Sequence, residues 1–333
     1  MRIQLAHKYA DIISVENLLG AWQEFLKGKR GKPGVQIFQL RLMEHILAFH
    51  NDLGNRTYKH GPYKHFRISD PKPRDIHKAS VRDRLLHHAI YRKLYPFFDK
   101  TFISDSFSCR LDKGTHKALN RFRAFAYKTS KNHTRTCFVL KCDIRKFFAN
   151  IDHNILFSIL SRYIPDADIL RLLEEIIQSF SSGKSGVGLP LGNLTSQLFV
   201  NVYMNEFDQF VKHKLKVKYY IRYADDFVIF SDDKVFLENL ITNITSFLGD
   251  RLHLELHPDK VSIKTISSGV DFLGWVNFPN HRVLRTSTKR RMFRNMQAKG
   301  GKTETVQSYL GLLKYGNTRK LQSEVAALAL RSM

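Results

Sequence analysis

Three things are scarce in this chain of 333 residues, and each scarcity excludes something. Cysteine occurs only at Cys109, Cys137 and Cys142, with no zinc-type spacing to histidine partners. So few cysteines, and an odd number, exclude a disulfide framework and fit a reducing, cytoplasmic setting. No apolar run reaches the roughly 20 residues that a spanning helix needs, so no membrane role is expected. The start, Met1-Arg2-Ile3-Gln4-Leu5, lacks the apolar block of a signal peptide. Acids are also in deficit. Asp plus Glu number 30 against 54 Lys plus Arg, a formal charge of +24. An excess this large selects a polyanionic partner, because each phosphate contact releases counterions. A ribosomal-type structural protein or a binder of membrane surfaces would share that charge.

What is present is a sizeable core (43% hydrophobic, 12% aromatic), enough for about two domains or one composite one. The basic charge is concentrated. Residues 56–100 hold 12 Lys/Arg against 4 Asp/Glu, or +8, and residues 280–333 hold 12 against 2, or +10. Helical spacing of apolar residues predicts helices over 15–29 (Leu18, Trp22, Phe25) and 36–53 (Ile37, Leu40, Met43, Ile46, Leu47). The basic segment 28–34 breaks them. Pro62, Pro71 and Pro73 exclude a continuous helix over 61–79, so 66–78 reads as two strands joined by a Pro-rich turn. Ser80 is an N-cap for a helix to about Tyr95. Further helices are expected over 115–130, 153–163, 166–180, 193–214 and 234–249, with strands at 136–144 and within 252–284. Two or three basic helices separated by Gly300-Gly301 and Gly316 close the chain.

A further absence is local. In Tyr219-Tyr-Ile-Arg-Tyr-Ala-Asp-Asp-Phe-Val-Ile-Phe-Ser231, two β-prone runs flank a break at Ala224-Asp225-Asp226. A tight hairpin normally takes Asn-Gly or Asp-Gly, and there is no glycine. Two adjacent carboxylates repel each other, so they either face water or share a cation. Asp143, at the end of another strand, supplies a third acid. Three carboxylates at two strand tips suit a two-metal phosphoryl-transfer site, where Mg²⁺ takes carboxylate and phosphate oxygens. The metals would offset the repulsion in an otherwise basic protein.

At this point the chain resembles the reverse transcriptases. Tyr223-Ala224-Asp225-Asp226 is similar to their catalytic box. Arg74 to Ala89, with Val81-Arg-Asp-Arg84, and Ser106 to Ala118 resemble the two fingers blocks. Asp143 to Asp152 resembles the first palm acid block, and Gly188-Leu-Pro-Leu-Gly-Asn-Leu-Thr-Ser-Gln197 the Gly-rich block before the palm helix. His257-Pro-Asp-Lys260 and Phe272-Leu-Gly-Trp275 resemble the two blocks after the hairpin. The order of the six blocks around the catalytic box, across nearly the whole chain, carries the resemblance. It implies an α+β right-hand polymerase fold. Fingers would span 1–130, with 181–192 returning to them, the palm 131–279, and a basic helical thumb 280–333.

The resemblance also implies roles. Asp143, Ile144, Asp225 and Asp226 would hold two Mg²⁺, with Mn²⁺ able to substitute. Phe148 would screen the sugar 2′ position so that dNTPs are preferred. Arg74 would contact the incoming triphosphate, with Arg67 a second candidate. Lys260 would lie near the leaving pyrophosphate. Group II intron and retron enzymes typically carry Gln at the Leu191 position and Ser-Pro at Ser196-Gln197. This chain departs from both, and the departure resembles the reverse transcriptases of diversity-generating retroelements. Those enzymes misincorporate opposite template adenines, and Leu191 with Gln197 would help permit it. The implied partners are template RNA, the RNA–DNA heteroduplex, dNTPs and a small basic oligomeric accessory protein. The alternatives are a reverse transcriptase of another bacterial lineage (defence-associated, retron or intron-derived) and a non-catalytic RNA-binding module.

Overall fold

The computed structural model describes residues 3–70, 73–300 and 302–331. Met1 and Arg2, Pro71 of the Pro-rich turn, and Gly301 lie outside the described residues. The elements, in chain order, begin with α1 (Tyr9–Ile13), α2 (Val15–Leu26), α3 (Pro33–Leu40) and α4 (Leu42–Gly54). Hairpin strands β1 (Lys64–Ile68) and β2 (Arg74–Lys78) precede α5 (Val81–Asp99) and α6 (Thr115–Thr129). Then come β3 (Phe138–Asp143), α7 (His153–Ser161), α8 (Ala167–Gln178) and α9 (Leu194–Gln209). Strands β4 (Tyr220–Tyr223) and β5 (Asp226–Ser231) lead to α10 (Lys234–Leu252). Strands β6 (Ser262–Thr265), β7 (Val270–Phe272), β8 (Trp275–Asn277) and β9 (Arg282–Leu284) are followed by α11 (Thr286–Ala298), α12 (Thr303–Leu313) and α13 (Arg319–Arg331).

The chain divides into two compact units. Unit 1 comprises Met1–Ser104, Ile144–Lys214 and Thr245–Glu255. Its core is helical, with Trp22 and Phe25 of α2, Leu85, Leu94 and Phe98 of α5, and Phe199 and Phe207 of α9 all buried. Ser80 caps α5 by accepting from the Asp83 amide. Its hydroxyl also donates to the Asp83 carboxylate at 2.6 Å, and the Tyr58 hydroxyl donates to the other oxygen at 2.9 Å. That network fixes the chain between hairpin β1–β2 and the α5 axis.

Unit 2 comprises Asp105–Asp143, Leu215–Ile244 and Leu256–Met333. An antiparallel sheet in the order β4-β5-β3-β6 carries one face of apolar residues onto α6. Phe122 of α6 meets Phe230 of β5 edge-on, with centroids 4.8 Å apart. A second sheet, β7-β8-β9, joins the same core through Phe272 and Trp275, as do Met292 and Met296 of α11.

Several expectations change. The helix expected over 36–53 is two helices, broken at Arg41 (φ −122°, ψ 39°). The break resets the helical phase, so Ile37, Leu40, Met43 and Leu47 are exposed, and Val35, Phe38, Phe49 and Leu53 are buried with Ile46. The helix ending near Tyr95 continues through Pro96 to Asp99. Burial of Phe98 outweighs the one hydrogen bond that the proline removes. The helix expected to run to 214 stops at Gln209 and finishes in a π-helical turn, Phe210–Lys214.

Candidate active site

The sheet of unit 2 brings two of the three acids together by register. Asp143, the last residue of β3, lies opposite Asp226, the first residue of β5. Opposed residues of an antiparallel pair project from the same face. Asp226 also pairs with Tyr223, so the hairpin turn has only two residues, Ala224 and Asp225. The sequence reading had placed Asp226 in the break. It belongs to the strand because Phe227, Val228 and Ile229 are fully buried and fix the pleat one residue earlier. Ala224 adopts φ +57°, a left-handed conformation that costs a non-glycine residue roughly 1 kcal/mol.

Two cations balance this cluster within unit 2. The Lys260 ammonium donates to Asp143 Oδ1 at 2.8 Å. The Asp143 main-chain carbonyl also accepts from the His257 amide at 2.8 Å, so the block 257–260 is tied to the end of β3 by both main chain and side chain. Burial pushes the Asp226 carboxyl up to about 6; the carboxylates of Asp225 and Asp143 add to the rise, and Lys141 and Lys260 oppose it. The donor set therefore has the chemistry that a hard divalent cation relieves. Among the described residues, no group of three His, Cys, Asp or Glu side chains is gathered closely enough to enclose an ion alone. Substrate oxygens would complete such a site. Ile144 falls in unit 1 with its side chain buried, so only its main chain could serve an ion.

The raised Asp226 makes a stability prediction. A carboxyl that is raised in the folded state binds its proton more tightly there than in the unfolded chain. Its contribution is full below about pH 4 and is lost as pH rises through 6. With divalent ions chelated, Asp226→Asn is expected to be more stable than the parent at pH 7.5 by about 2 kcal/mol, from about 1.4 kcal/mol per unit discounted for partial exposure. The advantage should vanish near pH 4. Thermal melts in EDTA at both pH values check this, and a gain independent of pH would contradict it.

The sequence reading missed Arg222. Its side chain is fully buried, and its Nη1 donates to the Ala224 carbonyl and its Nη2 to Ser106 Oγ, both at 3.1 Å. Its main chain bonds to Asp105 and Phe107. Thus one guanidinium ties the strained turn to the block that begins at Ser106. A charged residue inside the apolar run of β4 was the available signal.

Unit 1 gathers the other candidates differently. A cavity of about 530 Å³ opens between hairpin β1–β2, the turn Phe147–Asn150 and the Gly-rich segment. Arg74, Phe148 and Leu191 all line it, with His77 and Phe180. Phe147 is buried, so the two adjacent phenylalanines divide between core and cavity. The Leu191 carbonyl accepts from the His77 amide at 3.2 Å, which holds the Gly-rich segment on β2. Gly192, at φ +106°, allows that approach, because a Cβ there would fall 3.1 Å from Ile76. The Arg74 guanidinium has no ion pair among the described residues. Arg67 and Gln197 do not line this cavity. Arg67 pairs with Asp75 in the hairpin register, and strand alternation turns it to the face opposite Arg74. Phe180, edge-on to His77 at 4.6 Å, was not foreseen; it lies at the end of α8 with no motif around it.

The model of the family described as reverse transcriptase (RNA-dependent DNA polymerase) matches residues 66–276. The chain belongs to the reverse transcriptase family. Both the acid-bearing sheet and most of the cavity lining fall inside the matched segment. The chain is similar to protein YkfC of Escherichia coli, at 25% identity over 77% of each chain. It is also similar to the group II intron-encoded protein LtrA of Lactococcus lactis, at 22% identity over 74% of this chain and 51% of LtrA. A putative COX1/OXI3 intron 2 protein of Saccharomyces cerevisiae matches at 21% over 67% of this chain and 33% of its own length. The chain thus spans about half or less of the two intron-related proteins. A telomerase structure from Candida albicans, solved with a fragment of telomeric RNA, shares the fold at a TM-score of 0.50 and 12% identity, covering 74% of this chain and 51% of that one. The α+β polymerase fold and RNA-directed DNA polymerase activity follow from the family.

Proposed function

We propose that this reverse transcriptase is the mutagenic enzyme of a diversity-generating retroelement, copying a template-repeat RNA into adenine-mutagenised cDNA. The observation that carries the reading is Leu191, which shares one cavity with Arg74 and Phe148. In this reading the cavity receives the incoming nucleotide. Arg74 holds triphosphate oxygens through its guanidinium fork. Phe148 leaves room at the sugar 2′ position for hydrogen but not for hydroxyl. Leu191 gives contact area to the nascent pair without a hydrogen-bonding group, and selectivity that depends on such contacts is relaxed.

Asp143, Asp225 and Asp226 are the proposed metal-binding groups. Two Mg²⁺ ions, when bound, supply activation of the primer 3′-hydroxyl and stabilisation of the leaving oxygen. Lys260 pairs with Asp143, and its ammonium is a proton donor for pyrophosphate. Residues 1–130, with 181–192, serve as fingers, 131–279 as palm and 280–333 as thumb, and the basic stretches grip the template and heteroduplex backbones. The proposed partners include a small basic oligomeric accessory protein. Among the described residues no helix is long and apolar enough to cross a membrane; a cytoplasmic setting is part of the proposal.

The similarity to LtrA and to yeast intron proteins favours a second reading, an intron-derived lineage. Sequencing cDNA made on one RNA template by the parent, Leu191→Gln and Phe148→Ala enzymes, with rNTPs present, tests the proposal. The parent should concentrate errors at template adenines, Leu191→Gln should reduce them several-fold, and Phe148→Ala should incorporate ribonucleotides. Errors spread evenly over the four template bases would favour the intron-derived reading.

A further inference from the structure

A second cavity, of about 490 Å³, lies wholly within unit 2, between α6, the β8–β9 turn and the end of α12. Among the described residues no acidic side chain lines it, while Arg123, His281, Arg282 and Lys314 do. Arg282 is held in place. Its Nε donates to the Tyr315 carbonyl and its Nη2 to Asn120 Oδ1 at 3.1 Å. Its Nη1 is buried and, among the described residues, has no hydrogen-bond partner. Burial and the neighbouring charge of Arg123 both push the Arg282 pKa down. Arg123 and Lys314 are exposed and form no ion pair among the described residues. Like charges brought together around an orphaned buried donor leave an electrostatic cost that an anion removes.

The cavity is built rather than incidental. Gly316 sits so close to β8 and β9 that a Cβ would fall 2.1 Å from the Trp275 ring and 3.0 Å from the Arg282 carbonyl. The Asn317 amide donates to that same carbonyl at 2.9 Å. Tyr315 stacks flat on His116, with centroids 3.5 Å apart, yet remains 38% exposed. The volume falls within the roughly 300–1,000 Å³ range of small-ligand sites. Phosphate-binding cations beside an open aromatic ring are the two components of single-strand recognition. A concave site of this size admits an unpaired base, which a duplex does not offer.

We propose that this cavity binds one splayed nucleotide of a single-stranded nucleic acid, its phosphate against Arg123 and Lys314 in the field of the Arg282 guanidinium and its base against Tyr315. The site is separate from the cavity assigned above to the incoming nucleotide, and extension activity is not its readout. The test uses the full chain without dNTPs. The probes are a fluorescent 20-nucleotide single-stranded RNA, a DNA strand of the same sequence, and an RNA–DNA duplex of equal length. Arg123→Ala with Lys314→Ala should weaken single-strand binding about tenfold. It should lower the salt slope by about 0.7, the share of the one phosphate that the two side chains hold, and change duplex binding by less than twofold. A single 4-thiouridine in the RNA should crosslink to Tyr315, and Tyr315→Ala should abolish that crosslink. Stronger binding of the RNA strand than of the DNA strand would name RNA as the ligand, and equal binding would name either single strand. Unchanged single-strand affinity and slope would overturn the proposal, as would equal losses on strand and duplex.

Discussion

Asp225→Asn is expected to abolish primer extension, lowering the rate by about 10³-fold or more, while single-stranded RNA affinity stays within about twofold. Loss of one preorganised charge-stabilising group typically costs about 10²–10³ in rate, and here the group is also a proposed metal ligand. RNA affinity survives because binding draws on a +24 protein, from which the substitution removes one negative charge. Asn keeps the size of Asp and occupies the same two-residue turn, so the fold should persist. Primer extension with Mg²⁺ and a filter-binding assay on the same preparation check the two halves. Extension at the parent rate would refute the assignment. Joint loss of extension and binding would point to misfolding instead, which circular dichroism would reveal.

Arg222→Met should cost about 2–4 kcal/mol of stability and reduce the extension rate by about 10²-fold. Methionine replaces much of the buried stem but neither hydrogen bond. The Ala224 carbonyl and the Ser106 hydroxyl lose their guanidinium donor, and a buried group left unsatisfied costs about 1–3 kcal/mol. The turn then loses the brace that holds Ala224 at φ +57°, and Asp225 is the next residue. Arg222 is a positioning residue, so the loss should fall on kcat rather than on KM for dNTP. Urea denaturation gives the stability term, and steady-state extension gives the kinetic split. A stable variant with unchanged kcat would show that the brace is dispensable.

Hairpin β4–β5 shows how far the amino acids alone can be read. The apolar, β-prone runs on either side of Asp225 and Asp226 mark two strands, and carboxylates at their junction mark a cation site. Both inferences are local, resting on residue type and charge. Turn length was not legible, because Asp226 belongs to the strand only once Phe227 to Ile229 are anchored in the core of unit 2. The error at Ile37, Leu40, Met43 and Leu47 has the same origin. A helical period assumes an unbroken helix, and the break at Arg41 shifted which face was buried. Arg222 escaped notice because a lone arginine in a strand gives no sign of whether it reaches solvent or folds inward onto a carbonyl.

The cavity of unit 1 marks the remaining division. Arg74, Phe148 and Leu191 were each singled out by position in a motif, with nothing in their spacing to say that they meet. Arg67 and Gln197 were singled out in the same way and do not join them. The chain by itself determined the strong basic charge, the family blocks and the acids, because charge, composition and short-range pattern are properties of the chain. Tertiary structure alone decided which of these residues share a surface. That depends on strand register and on glycines such as Gly192 and Gly316, whose missing side chains let distant segments touch.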